Sequence, residues 1–437
     1  MFNWLFTNYK MNLSVDYWIL SLIAVGTILI VLFALSRVKD LKIRVAIVLS
    51  AVSIFIYSGY GIALDYVDDK YLLKYLIALF FFYVPFMLIA NKGAKNQGGQ
   101  SMDAYFDMHY GALRSLAYIY LFLITVPLVF PRFRMFDVFI SGITIDDIYD
   151  YLNAVAADPF SRLTTALSTF FSPFFFVYIA YIRLRNPKSL KPYILFMADF
   201  LIGIMDSCYV GRSEMVYTAL LLFFLVFCIK DGKFKITRKQ VLVLLCVMIV
   251  SVPFLWAYTF IRMGLTADTI SFGDSMELLL ASETTYPQYY DHILSSQLLQ
   301  QAQSPFAVIL WLICLPIPSV LWPSKPTLAN DVFTFSITGL HRTDLGYSSL
   351  LPSFLGESFM YFGGSFYWVF TFLMGLVFAS ILKYLSKNRY MMFFMLLLAV
   401  RMTAVGRAGA TAAIPSFVNG ALSLLLIDWF VVRKSKR

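Results

Sequence analysis

Charge is scarce in this chain. Only 14% of its 437 residues are Asp, Glu, Lys or Arg, while 60% are hydrophobic. Soluble domains carry about 25% charged and about 45–50% apolar residues. A soluble fold this apolar could not cover its own surface, so the soluble classes are excluded first. Histidine is nearly missing, with only His109, His292 and His341, and no H-E-x-x-H places two of them on one helix face for zinc. There is no G-x-x-x-x-G-K-[ST] loop to cradle nucleotide phosphates and no G-x-S-x-G nucleophile elbow. No Asp-x-Asp or Glu-x-Asp pair occurs of the kind that holds a divalent metal against a sugar pyrophosphate. The expectation is chemistry without ATP, metal or organic cofactor. Cysteine is limited to Cys208, Cys228, Cys246 and Cys314. Each lies in an apolar run and none has metal or redox spacing, so all four read as small buried hydrophobes.

What is present is a series of apolar runs near twenty residues long, enough to cross a hydrocarbon core of about 30 Å. They predict spans at Tyr17–Leu35, Val45–Leu64, Leu73–Ala90, Ser115–Phe130, Leu163–Ile182, Pro192–Val210, Met215–Cys228, Val241–Ile261, Gly364–Leu382, Tyr390–Gly406 and Pro415–Val432. The first run lacks a preceding basic region and a clear cleavage site, so it is expected to stay as a span rather than leave as a signal peptide. The formal net charge of +10 would suggest nucleic acid in a soluble protein. Here it is loop charge that sets orientation. Six loops on one side (Arg37–Arg44, Asn91–Arg114, Arg183–Lys191, Lys230–Lys239, Lys383–Arg389 and Arg433–Arg437) hold 23 of the 35 Lys and Arg residues. Positive loops stay cytoplasmic, which predicts an external N-terminus and a cytoplasmic C-terminus.

The fold class that follows is an all-α polytopic membrane protein with about 11 transmembrane helices. It divides into an N-terminal bundle of about eight spans (1–261), a large external loop (262–363) and a C-terminal bundle of about three spans (364–437). Inside the loop, 304–322 is apolar but carries Pro316 and Pro318. Paired prolines break helices, and non-helical backbone at depth needs protein cover, so this segment reads as re-entrant or interfacial. If it crossed, a second crossing near Ser348–Phe362 would accompany it and raise the count to 13. No internal repeat is evident, against transporters built from repeated halves.

The external side is rich in arginine. Arg132, Arg134, Arg162, Arg212, Arg262, Arg342 and Arg407 map there, together with Lys325. Arginine grips phosphate bidentately; the competing reading is a snorkelling anchor. Arg401 falls near the middle of its span, where an arginine must face a cavity, a partner or an anionic ligand. Asp199, Asp206 and Glu214 are candidate partners for Arg212 or Arg401 in a purely structural pair. In the long loop, His341, Arg342 and Asp344 lie within four residues, a cation with two candidate bases. Glu357 precedes Gly363-Gly364 at the mouth of the ninth span and reads equally as a base or a cap. Tyr286, Tyr289, Tyr290 and Trp322 are external aromatics suited to stacking on sugar rings.

Four features together resemble the O-antigen (oligosaccharide repeat-unit) polymerases, the Wzy family. They are the Gly211-Arg212 turn between adjacent spans, the stretch Leu315-Pro-Ile-Pro-Ser-Val-Leu-Trp-Pro-Ser-Lys325-Pro326, the stretch Gly346-Tyr-Ser-Ser-Leu-Leu-Pro352 through Gly356-Glu357 to Gly363, and the late span with Arg401 and Arg407. Many members of that family have a basic residue where Ser319 stands. The resemblance implies a GT-C-like glycosyltransferase in a bacterial inner membrane with a periplasmic active site. Its substrates would be undecaprenyl-pyrophosphate-linked glycans, its surroundings membrane lipids, and its partner a separate chain-length regulator, with no nucleic acid. Arg212, Arg262, Lys325, Arg342, Arg401 and Arg407 are then expected to bind pyrophosphate, with His341, Asp344 or Glu357 as base. An O-antigen ligase shares the cations and the loop. A flippase or other transporter would instead scatter charge through many spans and keep its loops short.

Overall fold

The computed structural model describes residues 15–64, 67–90, 102–127, 159–206, 212–230, 233–244, 246, 286–302, 310, 314, 322, 329–341, 350–386, 392–411 and 413–414. Within these the chain is helical, apart from one hairpin of two-residue strands, β1 (Ile229–Lys230) and β2 (Lys233–Phe234). Five helices are long and apolar enough to cross a bilayer: Tyr17–Arg37, Leu41–Ile62, Lys70–Ile89, Leu167–Arg185 and Ser353–Ser386. The protein is a helical membrane protein.

The first helix, α1 (Tyr17–Arg37), begins where the Asp16 carboxylate accepts from the backbone N–H groups of Trp18 at 2.8 Å and Ile19 at 3.1 Å. Such a cap satisfies donors that the first turn leaves open. Its 21 residues give a rod of about 32 Å. Ile19, Ile23, Thr27 and Ala34 are its buried positions, a narrow stripe at helical spacing. The remaining apolar surface fits contact with hydrocarbon. The second helix, α2 (Leu41–Ile62), starts on a matching Asp40 cap and contains a π turn at Phe55–Gly59. The third, α3 (Lys70–Ala90), packs on α1, where the Thr27 and Tyr75 hydroxyls share a hydrogen bond of 3.1 Å.

Next come α4 (Met102–Pro127) and α5 (Pro159–Arg185), which pack along each other, then α6 (Lys191–Asp206) and α7 (Arg212–Leu222), the last extended by a π turn at Phe223–Phe227. After the hairpin, Thr237 and Gln240 form a reciprocal capping box in which the Gln240 side chain accepts from the Thr237 N–H at 2.7 Å. That box marks where the predicted span at Val241 begins. The loop region contributes α8 (Tyr290–Ser295), preceded by a 3-10 turn at Tyr286–Tyr289, then α9 (Gln297–Ala302) and α10 (Ala329–Thr338). The C-terminal part holds α11 (Ser353–Ser386), α12 (Met392–Arg401) and α13 (Ala404–Ala408).

The core sits where α11 lies along α3, the most extensive helix interface among the described residues. Gly375 allows it: a Cβ there would run into the Phe82 backbone carbonyl. Small residues let helices approach closely in membranes, where packing has to do what hydrophobic exclusion does in water. Around this contact Phe82 meets Tyr83, Phe86, Phe354 and Phe378. A second close approach joins α13 to α2. Gly406 lies against the Ser53 backbone, and the Ser53 hydroxyl donates to the Thr403 carbonyl.

Several expectations change in detail. The fourth predicted span, Ser115–Phe130, belongs to a helix that starts at Met102. The residues before Ser115 include Tyr110, whose ring packs on Tyr178 and Tyr181 of α5, so the helix continues below the apolar run. Of the extra crossing considered near Ser348–Phe362, Ser348 and Ser349 lie outside the described residues. Residues 353–362 form a buried helical arm that breaks at Gly363 (φ 67°, ψ −175°). Ten residues reach about 15 Å, half of a hydrocarbon core. The tenth predicted span is interrupted after Arg401 by a turn at Met402–Thr403 before α13. Cys228 and Cys314 are buried as expected, whereas Cys246 is exposed on its helix, which suits an apolar residue on a lipid-facing side; Cys208 lies outside the described residues. Most of Val241–Ile261 and of the 304–322 segment, and all of the last span, Pro415–Val432, also lie outside them.

Candidate functional site

The C-terminal end of α2, the N-terminal end of α3 and the buried start of α11 meet α8 and its 3-10 turn, while α13 packs on α2 and α11. The π turn in α2 carries Tyr57, whose ring lies 6.2 Å from that of Tyr286. The Arg407 guanidinium of α13 sits 6.0 Å from the centroid of the same Tyr57 ring. π turns are common at functional positions because they rotate side chains out of the regular helical sequence of faces. On α3, Tyr71 packs edge-on against Tyr290 with centroids 5.1 Å apart. The Lys74 ammonium lies 5.5 Å from the Tyr71 centroid and 5.3 Å from that of Phe359. The Tyr290 and Ser353 hydroxyls share a hydrogen bond of 3.0 Å. Ser353 itself has φ 63°, a conformation that costs a non-glycine residue and persists only where neighbours hold it.

At the rim, Asp291 of α8 accepts from the Lys70 ammonium at 2.8 Å and from the Tyr71 hydroxyl at 2.7 Å. Lys70 also pairs with Asp68 at 3.0 Å. The Lys70 hydrogen bond first, and the Tyr71 hydroxyl second, hold the Asp291 carboxyl below the usual aspartate range. Burial pushes the Tyr290 phenol up, so it remains a proton donor.

Glu357 is fully buried in the short arm of α11. Its carboxylate accepts from the Thr411 N–H at 3.2 Å and 3.3 Å, from the Ala410 N–H and from the Thr411 hydroxyl. Gly409 precedes this contact with φ 88°, and a Cβ there would sit 2.5 Å from Glu357 Cδ. Of the two readings that the sequence left even, the geometry is that of a cap. The backbone it caps, however, is the segment that follows Arg407, not the mouth of Glu357's own span. A buried carboxylate needs such donors, and here they come from one short stretch of backbone.

The other arginine of the late helices is placed differently. Arg401 ends α12 with its guanidinium 3.6 Å from the Tyr217 ring centroid. Together with Thr169, Ser172, Pro173, Leu397 and Leu398 it lines a partly open cavity. So Arg401 does face a cavity, as an arginine placed near the middle of a span must. Asp199, a suggested partner for it, is buried and accepts from the Tyr120 hydroxyl at 2.7 Å.

His341 is exposed and stacks on Phe335, with centroids 4.2 Å apart. Arg262, Lys325, Arg342 and Asp344 lie outside the described residues. Arg212 opens α7. Tyr286 and Tyr290 are buried, so they pack inside the protein rather than offer faces to sugars. Tyr289 packs edge-on against Phe333.

Tyr57, Lys74, Asp291 and Gly409 join this layer without having been singled out in the sequence. Lys70 and Lys74 did carry a signal, a pair of cations one helical turn apart at the start of an apolar run. For Tyr57 and Gly409 no local signal existed. Among the described residues no group of three or more His, Cys, Asp or Glu is suited to hold a metal ion. No protein-family model matches the chain, and neither a curated protein nor a solved structure is significantly similar to it.

Proposed function

We propose that the protein is an O-antigen polymerase. It joins undecaprenyl-pyrophosphate-linked oligosaccharide repeat units at the periplasmic face of a bacterial inner membrane and releases undecaprenyl pyrophosphate. In this reading the chain has eleven spans, a GT-C-like fold, a periplasmic N-terminus and a cytoplasmic C-terminus, and works beside a chain-length regulator. An acceptor sugar hydroxyl attacks the anomeric carbon of the donor glycan. The new C–O bond forms as the bond from that carbon to the phosphate oxygen breaks. The electron pair leaves with the pyrophosphate, and the hydroxyl proton passes to a base.

The observation that supports this best is the mounting of Arg407. The Glu357 carboxylate grips the backbone just after it, at Ala410 and Thr411, and Tyr57 faces its guanidinium. Charge developing on a leaving group is best stabilised by a donor already fixed in place. Arg407 is such a donor, and in this reading it stands where the large external loop joins the bundle. Glu357 thereby positions Arg407, and the base falls to His341 or Asp344. Arg262, Lys325 and Arg342 complete the clamp, with Arg212 at the start of α7.

The test is a complementation gel of lipopolysaccharide in a strain lacking the chromosomal copy. Arg407→Ala is expected to remove most of the ladder at an unchanged protein level, as loss of one such donor costs about a hundredfold to a thousandfold in rate. Arg407→Lys keeps the charge without the planar fork and should give a shortened ladder. Full ladders from both Arg407→Ala and Arg342→Ala would overturn the pyrophosphate reading.

A further inference from the structure

The turn joining α5 to α6 carries four cations in nine residues, Arg183, Arg185, Lys188 and Lys191, with no acid among them. Three of the four side chains are held by neutral groups. Arg183 donates to the Pro187 carbonyl and lies 5.7 Å from the Tyr193 ring centroid. Arg185 donates to the Tyr181 hydroxyl at 2.7 Å. Lys191 donates to the Tyr178 hydroxyl at 3.3 Å, with its ammonium also 5.7 Å from that ring's centroid. Tyr178 and Tyr181 are buried, so the points that hold Lys191 and Arg185 are anchored in the core. Arg183, Lys188 and Lys191 make no ion pair among the described residues. The result is a cluster of positive charges at one turn, three of them held by neutral groups.

A second feature adjoins it. Leu190, Ile194, Met197 and Leu201 are all exposed. Their spacing of four, three and four residues puts them on one face of α6. The stripe starts at the basic turn and runs up the helix. Cations at one end of an apolar stripe match an amphiphile with an anionic head.

We propose that this turn is a binding site for an anionic phospholipid. Arg183, Lys188 and Lys191 engage the headgroup phosphate, and an acyl chain lies along the α6 stripe. Basic pockets between transmembrane helices are suited to such headgroups, and the tyrosine-held geometry lowers the ordering cost of binding. The site lies at the opposite end of α5 from Pro159, and the proposal is independent of the polymerase reading.

The test uses the purified full chain in detergent. Thermal unfolding is followed with added phosphatidylglycerol, phosphatidylcholine or inorganic phosphate. Phosphatidylglycerol near saturation is expected to raise the Tm by roughly 5 °C, phosphatidylcholine much less, and inorganic phosphate hardly at all. The triple variant Arg183→Gln, Lys188→Gln, Lys191→Gln should lose most of the increment. Should that variant not fold, native mass spectrometry of the wild-type protein decides, by preferential retention of phosphatidylglycerol over phosphatidylcholine. Equal stabilisation or retention with both lipids, or an undiminished increment in the triple variant, would overturn the proposal. So would an equal shift from inorganic phosphate, which would indicate a free-anion site rather than a lipid site.

Discussion

Glu357 directs both carboxylate oxygens at one short stretch of backbone, and Gly409 is the residue that makes room for them. Gly409→Ala therefore meets two obstacles, the carboxylate and a positive φ, and is expected to destabilise the protein by about 1–3 kcal/mol. Thermal unfolding in detergent measures this. Glu357→Ala should cost a similar amount, since it leaves two buried N–H groups unmatched. Glu357→Gln separates positioning from base catalysis. A positioning residue leaves residual polymerisation with the wild-type pH dependence, whereas loss of a base removes activity across the pH range. The sequence marked Glu357 as base or cap but could not decide, because its partners lie 53 and 54 residues away and no local pattern encodes that contact. Arg401 was legible in part: a mid-span arginine had to face a cavity, but the Tyr217 ring beside it is a property of packing between α7 and α12.

At the scale of elements, apolar length was the reliable signal. The spans beginning at Tyr17, Val45, Leu73 and Gly364 all begin inside long apolar helices, because hydrocarbon thickness dictates both the length and the composition of a span. Capping and breaking were less visible. The break at Gly363 depends on φ 67° and ψ −175°, a region open essentially to glycine alone. Gly363→Ala is expected to straighten or destabilise the junction between the buried arm and the span, and to lower the Tm. Gly375→Val is the more severe change, since the added atoms meet the Phe82 backbone rather than a movable side chain. It should prevent accumulation of folded protein, which fluorescence-detected size exclusion of a tagged chain would show. The π turn at Phe55–Gly59 left no mark in the hydropathy, because one extra residue in a helical turn changes facing without changing composition.

At the scale of the whole molecule, the contacts join segments that the positive-inside pattern puts on one side: Asp16 with Ala63, Lys70 with Asp291, and Tyr290 with Ser353. The Asp291 latch ties the loop to the bundle and has a definite pH signature. Its carboxyl is held below the ordinary aspartate value of 3.8. Its contribution to stability is therefore full above that value and is lost as pH falls through the lowered one. Asp291→Asn is expected to lower the Tm slightly at neutral pH, with the difference from wild type vanishing below the depressed pKa. The effect stays small because the pair is solvent-exposed and screened. The polymerase reading itself is most directly tested by silver-stained lipopolysaccharide from a strain lacking this protein, alongside the complemented strain. The account predicts that the deletion leaves a single core-plus-one-repeat band and that complementation restores the ladder. An intact ladder in the deletion strain, or loss of every repeat including the first, would contradict it.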